Sequence, residues 1–138
     1  MRLIYGDDFF SVEVDPLARR IELIRTKRKF PHVSDLVSSL EAMMIAVTAA
    51  HAEEFGVLVD LRAAPQLMET AFQRSFFHLE RFLSDHFSRV AIVYQSPELM
   101  ALAPHSDHPG VHYVLTLSAA RRTLAALKTT ASAVSRKN

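Results

Sequence analysis

Apolar residues recur along this chain at two spacings, every second position and every third or fourth, and the switches between them mark out its elements. From Phe9 to Asp15 the string FFSVEVD alternates, and from Arg19 to Thr26 RRIELIRT alternates again. Asp15-Pro16 and Ala18 supply the turn between them, so the two runs predict an antiparallel hairpin. Ile21 and Leu23 fall on one face and Ile24 on the other, which leaves the outer face of the second strand mostly charged.

Beyond Pro31, Ser34 or Asp35 can cap a helix whose apolar positions Leu36, Leu40, Met43, Val47 and Ala50 step by four and three. That helix is expected to reach about Glu54, where Gly56 ends it and the strand GVLVDL (Gly56 to Leu61) begins. A run apolar on both faces predicts a central strand. A second helix, from about Leu67 to Phe87, carries Phe72, Phe76, Leu79 and Leu83 on one stripe, and Arg89 to Tyr94 (RVAIVY) follows as another apolar strand. Ser96-Pro97-Glu98 is a helix start, predicting a short helix from Pro97 to Ala103. His105 to Gly110 reads as a loop, Val111 to Thr116 as a last strand, and Ser118 as the cap of a terminal helix that frays from about residue 129. The predicted fold is α/β, a mixed β-sheet with an N-terminal hairpin and crossover helices in the order β-β-α-β-α-β-α-β-α.

A chain of 138 residues fits a single domain, and 49% hydrophobic with 22% charged residues is ordinary for a folded globular protein. The balance of 16 basic against 15 acidic side chains gives no reason to expect a nucleic-acid partner. Cysteine is absent, which removes disulfides and thiolate metal sites. The opening MRLIYGDDFF has acids at positions 7 and 8 and no long apolar core, and no apolar run reaches the roughly 18 residues of a membrane span, so a cytoplasmic location is expected.

VLVDLR closing the central strand, RVAIVY as the next and VLTLSAARRTLAAL as a strand leading into a final helix together resemble the STAS domains, the SpoIIAA-like fold of anti-sigma-factor antagonists and their relatives, over roughly residues 9 to 128. In antagonists of that family the central strand leads into a loop with a phosphorylatable serine, typically Asp-Ser-Ser-Gly, modified by a kinase and read by an anti-sigma factor. Asp60 agrees with the family's strand-end aspartate, but Met68-Glu69-Thr70-Ala71 stands where the motif belongs, leaving Thr70 as the one hydroxyl beside the fixed charge of Glu69. In this respect the chain is similar to divergent STAS-like proteins grouped with lipid-binding SEC14-like domains.

Asp60, at the carboxyl end of a central strand, lies where open α/β sheets bind ligands; alternatively it caps the next turn or pairs with Arg62. The second helix holds more aromatic surface than one stripe hides. Phe77 falls with Gln73, Arg81 and Ser84, away from the stripe, so Phe77 and Phe82 either meet a ligand, a dimer mate or a partner, or border the core. His105, Asp107, His108 and His112 in HSDHPGVH are suitable zinc-ligand types without a known spacing, while His78 and His86 lie too far apart along one helix to share an ion. Arg19, Arg20, Arg25, Lys27, Arg28 and Lys29 form a basic stretch, read as a solvated strand edge in preference to a phosphate or acidic-partner site. With three glycines, neither a P-loop nor a dinucleotide fingerprint is possible, and no GxSxG elbow appears.

The expectation is therefore a non-catalytic STAS-like regulatory module without a cofactor. It would bind a protein partner or form a homodimer through Asp60, Arg62, Thr70, Phe77 and Phe82. The alternatives are a carrier of a small apolar molecule or lipid, and a metal-dependent enzyme built on His105, His108 and His112.

Overall fold

The computed structural model of the chain describes residues 1–65, 70–102 and 108–125, the side chains of 70–72 and 102 excepted. In chain order the elements are β1 (Arg2–Gly6), β2 (Phe10–Asp15), β3 (Arg20–Arg25), α1 (Val33–Ala49), β4 (Gly56–Asp60), α2 (Thr70–His86), β5 (Val90–Val93), α3 (Pro97–Leu102) and β6 (Val111–Val114). A terminal helix, α4, follows over 117–125. Among the described residues no helix is long and apolar enough to cross a membrane.

The fold is α/β, with one six-stranded mixed sheet in the order β1-β2-β3-β4-β5-β6. β1, β2 and β3 are antiparallel neighbours, whereas β3 through β6 run parallel. Parallel strands laid side by side in chain order need a crossover each time, and the preferred right-handed crossover returns over one face. α1 and α2 accordingly share a face. Leu36, Leu40, Met43 and Val47 of α1 and Leu79 and Leu83 of α2 close on Phe10, Val12, Ile21, Leu23, Val57, Val59, Val90 and Ile92 of the sheet. The opposite face is covered by α4, whose Ala120 and Leu124 pack on Leu58, Ala91 and Val93. This two-sided cover is why β4 and β5 are buried at every position.

The expected N-terminal hairpin is the second half of a three-stranded antiparallel unit, so the predicted order lacks β1. Its pattern hides it: the pairing with β2 shifts register between Leu3 and Tyr5, and such a bulge breaks strict alternation. The turn after β2 forms as expected, with Asp15 Oδ1 accepting the Ala18 amide at 3.1 Å and Arg19 taking a left-handed φ of 54°.

Some helix limits also differ from expectation. α1 stops at Ala49 instead of near Glu54, because His51 takes the left-handed conformation (φ 49°) that ends the helix. Gly56 is thereby the first residue of β4, where an added Cβ would lie 3.2 Å from Leu124. α1 begins after the N-cap His32, and Asp35 accepts a backbone N–H at its start as expected, that of His32 at 3.0 Å. In α4 Thr116 is the capping residue in place of Ser118, its hydroxyl accepting the Ala119 amide at 3.0 Å. Ser96 caps α3 as expected, accepting the Leu99 amide at 3.2 Å. The predicted residues 67–69 of the second helix, Ala103 and the tail from 129 lie outside the described residues.

The basic stretch is the largest correction, because β3 is not an edge: it sits between β2 and β4. Arg25 shares the alternation of Ile21 and Leu23, so it points into the helix-covered face and is 1% exposed. Its guanidinium lies 4.3 Å from the Phe30 ring centre and 5.5 Å from that of Phe10. It donates to the carbonyls of Phe9 at 3.2 Å, Thr26 at 2.6 Å and Arg28 at 2.7 Å. The charged outer face of β3 is covered as well. Glu22 is buried, accepts Arg20 Nε at 2.9 Å and lies 3.6 Å from Arg121 of α4. Only Lys27, Arg28 and Lys29 of the stretch are exposed.

Replacing Arg25 by Met keeps the bulk but strips three carbonyls of their donor. Urea denaturation should show a loss of about 2–4 kcal/mol, against less than about 0.5 kcal/mol for Lys27→Ala. An added Cβ at Gly110 would lie 2.1 Å from the Ser88 carbonyl oxygen. Gly110→Ala is therefore expected to cost about 2 kcal/mol and to lower Tm by roughly 5–10 °C in a thermal melt followed by circular dichroism.

Candidate functional site

The parallel strands end together, and the crevice outside their carboxyl ends is where open α/β sheets place ligands. Three strand ends here carry polar groups: Asp60 on β4, Tyr94 just past β5 and Tyr113 on β6. Glu80 comes down from α2 onto the last two.

Asp60 is buried and held by its near neighbour. Arg62 donates Nε to Oδ1 at 3.0 Å, a terminal nitrogen to Oδ2 at 3.1 Å and its backbone amide to Oδ1 at 3.1 Å. The two-pronged pairing makes Asp60 at once the cap of the turn and an ion-pair partner. The hydrogen bonds it donates to Asp60 hold the Arg62 guanidinium above its ordinary range. Arg62 itself is nearly half exposed, leaving its outer edge open at the sheet end. Next to it, Gln95 donates to the Ala64 carbonyl at 2.7 Å, tying the segment after β4 to the segment after β5.

Glu80 is 7% exposed, and the Tyr113 hydroxyl donates to its Oε2 at 3.0 Å. No Lys or Arg pairs with it among the described residues. A carboxylate removed from water without a cation is costly, so burial raises its pKa to about 7, with the Tyr113 hydrogen bond pulling the other way. The rings of Tyr94 and Tyr113 lie 6.2 Å apart, and burial followed by the nearby Glu80 pushes the Tyr94 phenol upward. A carboxyl poised at neutral pH beside two phenols can take up or release a proton under ordinary conditions.

This cluster is absent from the candidates read in the sequence, although its signal is present there. Glu80 stands four residues after Phe76 and three before Leu83, in the middle of the apolar stripe. Tyr94 continues the alternation of Val90 and Ile92, and Tyr113 that of Val111. A lone acid on a buried stripe, opposite tyrosines at core-facing strand positions, is a readable warning.

The aromatic residues of α2 divide. Phe76 and Phe82 pack against the core, Phe82 also lying 4.3 Å from the His86 ring, and Phe87 is buried. Phe77 is half-buried and belongs to neither core cluster. Thr70 is the first residue of α2, ten residues after Asp60 in the chain, and its side chain lies outside the described part. In the histidine loop, His105 and Asp107 lie outside the described residues; His108 is exposed, accepting the Gly110 amide at 3.0 Å, and His112 lies on β6. Among the described residues no three His, Asp or Glu side chains are grouped to hold a metal ion. His78 and His86 are exposed on α2.

No family model matches the chain, and no curated protein compared with it is similar enough to count as a relative.

The Glu80 carboxyl gives a pH prediction with a definite sign. Its folded-state value of about 7 exceeds the ordinary 4.5, so the folded chain holds a proton that the unfolded chain has released between those limits. The contribution to stability is fully present below about pH 4.5 and is lost as pH rises to about 7, by an amount on the order of 3 kcal/mol. Glu80→Gln is expected to remove that slope, which urea titrations of wild type and variant at pH 5 and pH 8 will read as a difference growing with pH. Parallel curves for the two proteins would rule the assignment out.

Proposed function

We propose that the chain is a non-catalytic STAS-like regulatory module that binds a protein partner, a second copy of itself included, through the Phe77 side of α2 and the segment after Asp60. The observation that carries this reading is Phe77: a large aromatic on α2, half-buried, and outside both clusters that form the core. Its neighbours Phe76 and Phe82 are spent on the core, so among the described side chains of that helix Phe77 is the aromatic left for a partner. The STAS resemblance adds the place, since family members regulate through the segment that follows the central strand. Parallel strands laid in chain order with helices between them are in keeping with it.

Asp60 fits a scaffolding role in this reading. Paired on both oxygens with Arg62, it shapes the turn and presents the Arg62 guanidinium at the sheet end. Without the Asp-Ser-Ser-Gly motif, a phosphorylation switch of the usual family kind would fall to Thr70 alone.

Native mass spectrometry of the purified chain is expected to give a dimer free of ligand, with Phe77→Asp giving monomer while Tm and the circular dichroism spectrum stay at wild-type values. A monomer carrying an apolar mass would replace this reading with a lipid or small-molecule carrier, and a bound zinc ion would point to the histidine loop. Unfolding of Phe77→Asp would assign Phe77 to the core, since a charge buried there costs several kcal/mol.

A further inference from the structure

We propose that Glu80 is a proton-operated latch for α2: neutral, it seats the helix on the carboxyl end of β5 and β6, and ionised, it loosens that helix from the sheet. Among the described residues, the geometry is that of a single polar contact inside an apolar seam. Glu80 shares its face of α2 with Phe76, Leu79 and Leu83, which pack on the sheet. Among the described residues its one hydrogen bond is from Tyr113, at 3.0 Å.

Among the described residues the groups around it offer an ionised carboxylate no positive charge, only the hydrogen bond from Tyr113. β6 presents Tyr113, and the end of β5 presents Tyr94, both neutral phenols. α1 turns Leu36, Ser39, Leu40, Met43 and Val47 inward, none of them titratable at neutral pH. On β3 the inward cation is Arg25, already engaged by the carbonyls of Phe9, Thr26 and Arg28. On α2 itself Arg74, His78, Arg81, Asp85 and His86 are exposed on the other side. Ionised Glu80 therefore gains by reaching water, and α2 must shift for it to do so.

The carboxyl titrates near 7 when seated and near its ordinary 4.5 once in water, so the balance between seated and loosened helix changes between those limits. The loosened population should rise on the order of a hundredfold from pH 5 to pH 8. This inference does not rest on the partner reading above: a chain with no partner would still show it.

Hydrogen exchange resolved by segment tests it, with rates corrected for the intrinsic pH dependence of amide exchange. Protection across Thr70–His86 is expected to fall about a hundredfold relative to Val33–Ala49 between pH 5 and pH 8, and to stay level in Glu80→Gln. Equal loss from both helices, or an α2 loss that persists in Glu80→Gln, overturns the latch. A second readout covers poor folding of that variant: the carbon-13 shift of the Glu80 carboxyl should titrate near pH 7 in wild type and higher in Tyr113→Phe, which lacks the donor favouring the ionised form. A midpoint near 4.5, or one that Tyr113→Phe leaves in place, overturns it as well.

Discussion

The buried guanidinium of Arg25 is the interaction on which the architecture turns. It lies at the end of β3, where the antiparallel half of the sheet gives way to the parallel half. Carbonyl groups from both the segment before β2 and the segment after β3 converge on it, and the rings of Phe9, Phe10 and Phe30 enclose it. Burial lowers its pKa to about 10, opposed by the charge of Asp7, so it remains a cation at neutral pH. Around its two terminal nitrogens the oriented carbonyls and the ring faces replace water, while Nε is buried without a hydrogen-bond partner among the described residues. The chain leaving β3 is thereby directed toward the start of α1.

Asp7 performs the matching task on the other side of the same corner. It accepts the amides of Phe9 and Phe10 at 2.7 Å each, the Ser39 hydroxyl of α1 at 2.6 Å and the Tyr5 hydroxyl of β1. Burial works to raise its carboxyl, but the bonds from Ser39, Tyr5, Phe10 and Phe9 outweigh it and leave it below the usual carboxylate range. Burial and the adjacent Asp7 push the Tyr5 phenol up to about 12. A turn between two strands is thus fastened to the first helix by one carboxylate.

Three buried carboxylates show how differently one sheet treats the same group. Glu22, beneath α4, and Asp60, at the end of β4, each lie beside arginines. Glu80 has a phenol instead, and burial lifts its pKa to about 7, so its charge responds to ordinary changes of pH. The first two hold elements in place; the third sits between a helix and the carboxyl ends of the strands, where a change of charge becomes a change of packing.

Periodicity alone determined the α/β class, β2 through β6, the three longer helices and most of the core, because burying one face imposes spacings of two or three to four on local sequence. It also made Asp60 and Phe77 visible, the first by its place at a strand end and the second by its angle on the helix. β1 was hidden by its bulge, and the end of α1 by a histidine doing what glycine usually does. Only the tertiary structure decided that Arg25 and Glu22 are buried and that Glu80 meets Tyr113, 33 residues away. Whether a charged side chain lies in water depends on which strands flank it and which helix covers it, and those neighbours come from distant parts of the chain.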